Sequence, residues 1–254
     1  MSVVELTAPT HYGELTDNQL RFVVNLKLAG NDEADLWRKC LIKFTGIQPA
    51  AGDDDCYYFT KKGVKEIFSL KLEELNYFAK QLSWLTKDYS GINPPRIAGL
   101  KPVDNLLRDT LFEQYLEAEN YYEAYIFTQE EENLMLMIAI LYQQADRYHS
   151  RNNEKILRRI RKRITPMEQL ICFMWMLGVK QHFAEKWKYL FPRQGKKNDD
   201  DETVIPDMEK IVRGQMRMLT NGDVTKEEKV LKSQTWSALD ELNEQCREMA
   251  TKKS

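Results

Sequence analysis

TLFEQYLEAENYYEAYIFTQEEENLMLMIAILYQQADRY, Thr110 to Tyr148, is the stretch that decides the fold class. Phe112, Tyr115, Leu116, Tyr122 and Ile126 recur at helical spacing in its first half, and Leu134, Met137, Ile138, Leu141 and Tyr142 do so in its second. The pattern predicts two helices, Thr110 to Phe127 and Glu130 to Tyr148, joined at Thr128-Gln129, and so short a joint makes them antiparallel neighbours. Glu113, Glu117, Glu119 and Glu123 read as the wet side of the first. No Glu-x-x-His accompanies them, as a di-iron bundle would require.

Toward the C-terminus, a basic helix is expected from Glu154 to Ile164. Thr165-Pro166-Met167-Glu168 then combines an N-cap hydroxyl, proline at the first helical position and glutamate at the third. The most apolar helix starts there and ends near Pro192. Its run LICFMWMLGV, Leu170 to Val179, is about half of the roughly 20 residues that cross a membrane, and Glu168 and Lys180 bracket it, so a buried core helix is expected. RQGKKNDDDET, Arg193 to Thr203, is poor in apolar residues and shifts from basic to acidic, the composition of a solvated linker. Pro206 can open a helix through Leu219, Asn221-Gly222-Asp223 makes a turn, and Thr225-Lys226-Glu227-Glu228 is a further capping box for a final helix carrying Val230, Leu231, Trp236, Leu239 and Leu242.

Toward the N-terminus, Thr16-Asp17-Asn18-Gln19 is a capping box with Leu15 and Leu20 placed as a hydrophobic staple. The helix it opens runs through Leu20, Val23, Val24, Leu26 and Leu28 to Ala29-Gly30, where glycine can take the left-handed terminating conformation. Asn31 is the expected N-cap of a second helix with Leu36, Trp37, Cys40, Leu41 and Phe44 as its buried stripe. Gln48 to Asp55 breaks the pattern. Cys56 to Thr60 and Val64 to Leu70 flank Lys61-Lys62-Gly63 as a β-hairpin, and a helix follows over Leu72 to Leu85. From Thr86 to Leu107, three prolines and two glycines mark a subdomain boundary. The chain therefore reads as mainly α: a multi-helix bundle with one small β-hairpin and a C-terminal helical arm. Its expected parts are 1–90 (helical hairpin, β-hairpin and helix), 91–192 (central bundle), 193–205 (charged linker) and 206–254 (C-terminal arm), with no internal repeat.

Across 254 residues, 43% are apolar and 11% aromatic, enough for a core without staples. Cys40, Cys56, Cys172 and Cys246 lie far apart with no CxxC, so neither a disulfide framework nor a zinc site is indicated and a reducing compartment is expected. The opening MSVVELTAPTHYGEL lacks a basic segment before an apolar stretch and does not read as a secretory signal. With 37 basic and 39 acidic residues, the net charge of −2 supplies no global field toward nucleic acid or anionic lipid. Asp53 to Asp55 and Asp199 to Asp201 lack the spacing of a calcium loop. His11, His149 and His182 are isolated, and no phosphate-binding, nucleophile-elbow or zinc-protease motif is present. No catalytic, cofactor or metal residue is assigned, and a non-enzymatic, membrane-free protein is expected.

Two features invite a sharper reading. Lys155, Arg158, Arg159, Arg161, Lys162 and Arg163 could neutralise phosphates. Against this, Ile156, Ile160 and Ile164 would dock such a helix as a solvated face, with Glu130 to Glu132 as an intramolecular partner, and this plainer account is preferred for a near-neutral chain. The aromatic helix with Tyr115, Tyr121, Tyr122, Tyr125 and Phe127 places rings on more than one face, so some must meet other surfaces, within the chain or across an interface.

The segments Gln215-Met216-Arg217-Met218-Leu219-Thr220-Asn221-Gly222-Asp223-Val224-Thr225-Lys226-Glu227, Val230-Leu231 and Thr235-Trp236-Ser237-Ala238-Leu239-Asp240-Glu241-Leu242, with Leu15 to Leu20 and Phe112 to Tyr122, resemble a family encoded in tailed phages and prophages of anaerobic gut bacteria. The resemblance spans nearly the whole chain but includes no chemically diagnostic motif. It implies a place in virion morphogenesis beside the tail-tube and tape-measure genes, and within that set the chain looks like a tail assembly chaperone acting in the host cytoplasm. Such a protein coats the apolar tape-measure helix until tube subunits replace it. The implied partner is a tape-measure or tail-tube protein, with self-association open, and the contact residues expected on that reading are Tyr121, Tyr122, Tyr125 and Trp236. A structural virion protein of the connector or tail-completion type, and a nucleic-acid-binding regulator using the 155–163 helix, are the alternatives.

Overall fold

A helix begins where a side chain can take up its first orphan N–H groups, and Thr16 does so in the computed structural model of the chain. Its hydroxyl accepts from the Gln19 N–H at 3.3 Å, while the Gln19 side chain accepts from the Thr16 N–H at 2.9 Å, opening α1 (Asp17–Leu28). The structure describes residues 5–52, 56–63, 66–192 and 208–252. Among them are ten α-helices and one three-stranded sheet, a mainly α fold with a small β element. The expected linker, the start at Pro206 and both aspartate triplets lie outside the described residues. The chain divides into two units, Met1–Ile92 and Asn93–Ser254.

In the first unit α1 ends in a Schellman motif. Gly30 is left-handed (φ 70°), its N–H donates to Lys27 O, and the Asn31 N–H donates to Leu26 O at 3.2 Å. Asn31 was expected to cap α2 (Glu33–Thr45), but its side chain also donates to Leu26 O, so it is spent closing α1. The cap moves to Asp32, whose carboxylate accepts from the Asp35 N–H at 2.7 Å. Val23, Val24, Leu36, Cys40 and Leu41 are buried where the two helices pack. The helix expected over Leu72 to Leu85 is α-helical only as α3 (Leu72–Ala79) and tightens to 3-10 over Lys80–Thr86. Three residues per turn stack Leu82 above Leu85 on one side, and both are fully buried.

The sheet corrects a second expectation. Beside the hairpin strands, numbered β2 (Cys56–Lys61) and β3 (Phe68–Lys71), an additional strand β1 (Ile47–Gly52) pairs antiparallel with β2, in the order β1-β2-β3. Its sequence IQPAAG has poor strand character, and it survives as an edge strand with an irregularity between Pro49 and Ala51, the setting in which proline is tolerated. Left-handed Gly46 (φ 70°) turns the chain out of α2 into it, and buried Ile47 holds it on the core.

The second unit is built on α4 (Phe112–Thr128) and α5 (Glu131–Leu141), joined through left-handed Gln129. All residues from Met137 to Leu141 are buried. α5 stops seven residues before the expected Tyr148 because its last carbonyls are claimed from outside. Leu141 O accepts from the Val103 N–H at 3.0 Å, and the Gln114 side chain donates to Ile140 O and Gln143 O. The basic helix is α6 (Asn153–Arg161), and α7 (Pro166–Lys186) starts at the expected Thr165 box and ends before Trp187, whose indole N–H donates to Asp240 Oδ1 at 2.6 Å. α8 (Met208–Thr220) follows. The single final helix expected from Thr225 is instead a short 3-10 turn capped by Asp223, α9 (Glu227–Leu231) and α10 (Thr235–Lys252).

The break before α10 has a cause in α4. The Phe112 N–H donates to Ser233 O at 2.8 Å, and the Thr235 N–H donates to Thr110 O at 3.0 Å, so Gln234 bridges Leu111 and the chain leaves the helical path at 233–234 before α10 begins at Thr235. Thr110 and Thr235 are fully buried with their hydroxyls 2.7 Å apart. A second polar cluster corrects the reading of the α4 carboxylates. Glu119 is buried and ion-paired with Lys180 of α7, Glu123 lies 3.6 Å from the same ammonium, and Glu117 accepts from Tyr148 and Asn153. Burial would depress the Lys180 ammonium, but the two carboxylates outweigh it and hold it above its ordinary value.

Two stability outcomes follow. Thr235→Val keeps the shape but withdraws a buried hydroxyl from Thr110, and should cost about 1 to 3 kcal/mol, read in urea as a lower midpoint at unchanged slope. Lys180→Met strands Glu119 without its cation and should cost about 3 to 5 kcal/mol, whereas Lys180→Met with Glu119→Leu should recover most of it. Additive losses in that pair would show that the two side chains are not coupled.

Candidate protein-binding site

Most of the aromatic residues marked by the sequence are held within the second unit. Tyr122 is buried and stacked on Phe173 of α7 at 6.1 Å between ring centres, and Tyr125 meets the same ring edge-on at 5.3 Å. Tyr121 is half-buried; desolvation and the Glu117 carboxylate both raise its phenol above the ordinary range. Trp236 is half-buried, donates its indole N–H to Leu106 O at 2.8 Å, and packs on Trp187 at 5.3 Å. Arg108 and Lys186 each lie 5.0 Å from its ring centre, in cation–π contact. Trp175 of α7 makes the parallel bond to Asn105 O at 2.8 Å. Two indoles from two helices thus hold neighbouring carbonyls of the 93–111 segment.

The three histidines serve separate local roles. His11 and His149 accept from the N–H groups of Gly13 and Arg151, and His182 lies against Phe183 and Trp236. Burial pushes the thiols of Cys40 and Cys172 up to about 12, well away from a reactive thiolate. Among the described residues, no three acidic, histidine or cysteine side chains converge at metal-holding positions, and no helix is long and apolar enough to cross a membrane.

An opening with an apolar floor lies among the C-terminal helices. α8, α9 and α10 enclose a groove of about 360 Å3, floored by Leu219, Val230 and Ala238 and rimmed by Lys226, Lys229 and Glu241, with Ser233 and Ser237 between. Ala238 is buried, Leu219 and Val230 are half-buried, and the rim charges are exposed. Local sequence chemistry forms it. α8 ends in a Schellman motif with left-handed Asn221, the Gly222 N–H reaching Arg217 O at 3.0 Å. Asp223 then caps the following turn, accepting from the Thr225 N–H and pairing with Lys226 at 3.3 Å. The sequence identified Asn221-Gly222-Asp223 as a turn and Val230 as apolar. It did not reveal the groove, which depends on the break at Ser233 imposed by α4.

The basic residues fall into two groups. Arg161 is paired with Glu132, Arg158 with Glu154, and Arg159 donates twice to Ala98 O, at 3.1 and 2.8 Å. Lys155, Lys162 and Arg163 make no ion pair with any described residue. Of the acidic cluster at 130–132 only Glu132 reaches a cation of α6, while Glu131 accepts from Gln169. The face holding Lys155, Arg158, Arg159, Lys162 and Arg163, with Arg151 and Glu154 at its edge, borders an open concavity of about 550 Å3.

Comparison of the chain with protein-family models, with curated proteins and with solved structures finds no match, so the functional reading rests on residues and geometry.

Proposed function

We propose that the protein is a tail assembly chaperone that holds an apolar helical segment of a tape-measure protein during tail morphogenesis. The observation that carries this reading is the groove between α8, α9 and α10: an apolar floor with a charged rim is the form in which a protein receives the greasy face of an amphipathic helix. Its position inside the segment that carries the family resemblance supports the same reading.

Co-expression with the tape-measure protein should raise the soluble fraction of that protein. Val230→Asp with Ser237→Arg should abolish the gain, because a carboxylate on the floor and a guanidinium across the opening leave no dry contact, while the half-exposed and exposed positions chosen spare the fold. Equal tape-measure solubility with and without the protein removes the proposal. Mass spectrometry of purified particles separates the remaining reading. A transient chaperone is absent from finished virions, whereas a connector or completion protein is retained at fixed copy number.

A further inference from the structure

The outward face of α6 is unlike the groove in every respect that matters for recognition. Lys155, Arg158 and Arg159 stand at i, i+3 and i+4 on α6, and Lys162 and Arg163, in the turn that ends it, border the same concavity, which gathers the five on one side. Buried Leu157 and Ile160 occupy the other side and fix it to the bundle. The Arg161 pair to Glu132 and the Arg159 bonds to Ala98 O secure the helix further without neutralising the face. Among the described residues Glu154 alone brings a negative charge to the concavity, and it is paired with Arg158.

We propose that this face is a binding site for the sugar–phosphate backbone of duplex nucleic acid. The stripe is about 12 Å long at the helical rise of about 1.5 Å per residue, a length over which one duplex strand carries about three to four phosphates at about 3.4 Å spacing. Phosphates need only cations and N–H donors, which the lining supplies in excess of its one carboxylate, Glu154. An acidic protein partner would in addition need an apolar centre to its interface, and single strands are held by stacking on aromatic rings; the lining supplies neither. Base reading is not part of the proposal, since no amide side chain or helix end aimed at a groove accompanies the cations.

Fluorescence anisotropy with a labelled 20-base-pair DNA duplex tests it on the full chain. Binding should weaken on the order of 10²-fold between 50 and 200 mM salt. Lys155→Gln/Lys162→Gln/Arg163→Gln should reduce affinity at low salt at least tenfold and flatten the salt dependence by about one unit of slope per cation removed. Arg161→Gln, whose cation is committed to Glu132, should stay within about twofold of the parent. All three substitutions lie on exposed side chains, and an unchanged circular dichroism spectrum confirms the fold. No binding at 50 mM salt, a flat salt response, or a triple variant binding like the parent overturns the proposal. So does displacement of the duplex by polyglutamate at lower charge concentration than by unlabelled DNA, which would assign the face to an acidic protein.

Discussion

Thr110 and Thr235, 125 positions apart, make two helix starts satisfy each other. Phe112, at the first turn of α4, gives its N–H to Ser233, and Thr235, at the first turn of α10, gives its N–H to Thr110. Orphan N–H groups at helix starts are usually met by a local side chain or by water. Here neither is available, because Thr110, Phe112 and Thr235 are all shut away from solvent. Each start therefore depends on the other segment's carbonyl, and the threonine hydroxyls close the arrangement. Loss of one side leaves buried donors on both, which is why so small a contact governs where α10 begins and how the last three helices are set on the central pair.

The rest of the second unit repeats this logic of polar groups fixing apolar surfaces. Hydrophobic burial supplies most of the stabilisation but has no direction. Gln114, wholly buried, ends α5 by donating to two carbonyls, and the indoles of Trp175 and Trp236 hold the irregular 93–111 segment against α7 and α10. The Lys180 pair with Glu119 ties α7 to α4 at a single register. Ion pairs of this kind stabilise little over a greasy replacement, yet they penalise every alternative alignment that would separate the charges. The apolar faces of α4, α5 and α7 could pack in several ways, and these few bonds select one.

What the sequence discloses and what it hides divide along the same line. The capping boxes at Thr16 and Thr165, the Gly30 terminus, the α4–α5 pair and the buried character of Leu170 to Val179 are visible because their causes lie within a few residues. The end of α5 at Leu141, the break before Thr235 and the burial of Glu119 are not, because Val103, Thr110 and Lys180 act from far along the chain. A signal for the last was present: Glu119 and Glu123 stand four apart on one helix, and Lys180 closes the most apolar run in the chain, a cation beside a buried surface. β1 was hidden for a different reason. Its pairing with β2 and the burial of Ile47 override a composition that disfavours strands. Of the site, the basic stripe was legible as a stripe, but which of its cations are spoken for is a tertiary fact, and the α8–α10 groove has no linear signature at all.

The near-neutral total charge conceals how unevenly that charge is laid out. From Arg147 to Arg163 there are eight basic residues and one acidic residue, which leaves 29 basic against 38 acidic residues elsewhere. A polyanion approaching any other part of the chain is repelled on average, and one approaching α6 is drawn in, so the acidic remainder sharpens the selectivity of the basic face rather than cancelling it. Screening over about 8 Å at physiological ionic strength keeps the two signs from averaging out at the surface. The groove beside α10 is governed by the opposite physics: its floor is apolar, its rim carries both signs, and its attraction to a partner does not depend on salt in the same way. A chain that carries two such surfaces can be engaged at one without the electrostatics of the other setting the affinity, and salt is the variable that tells them apart.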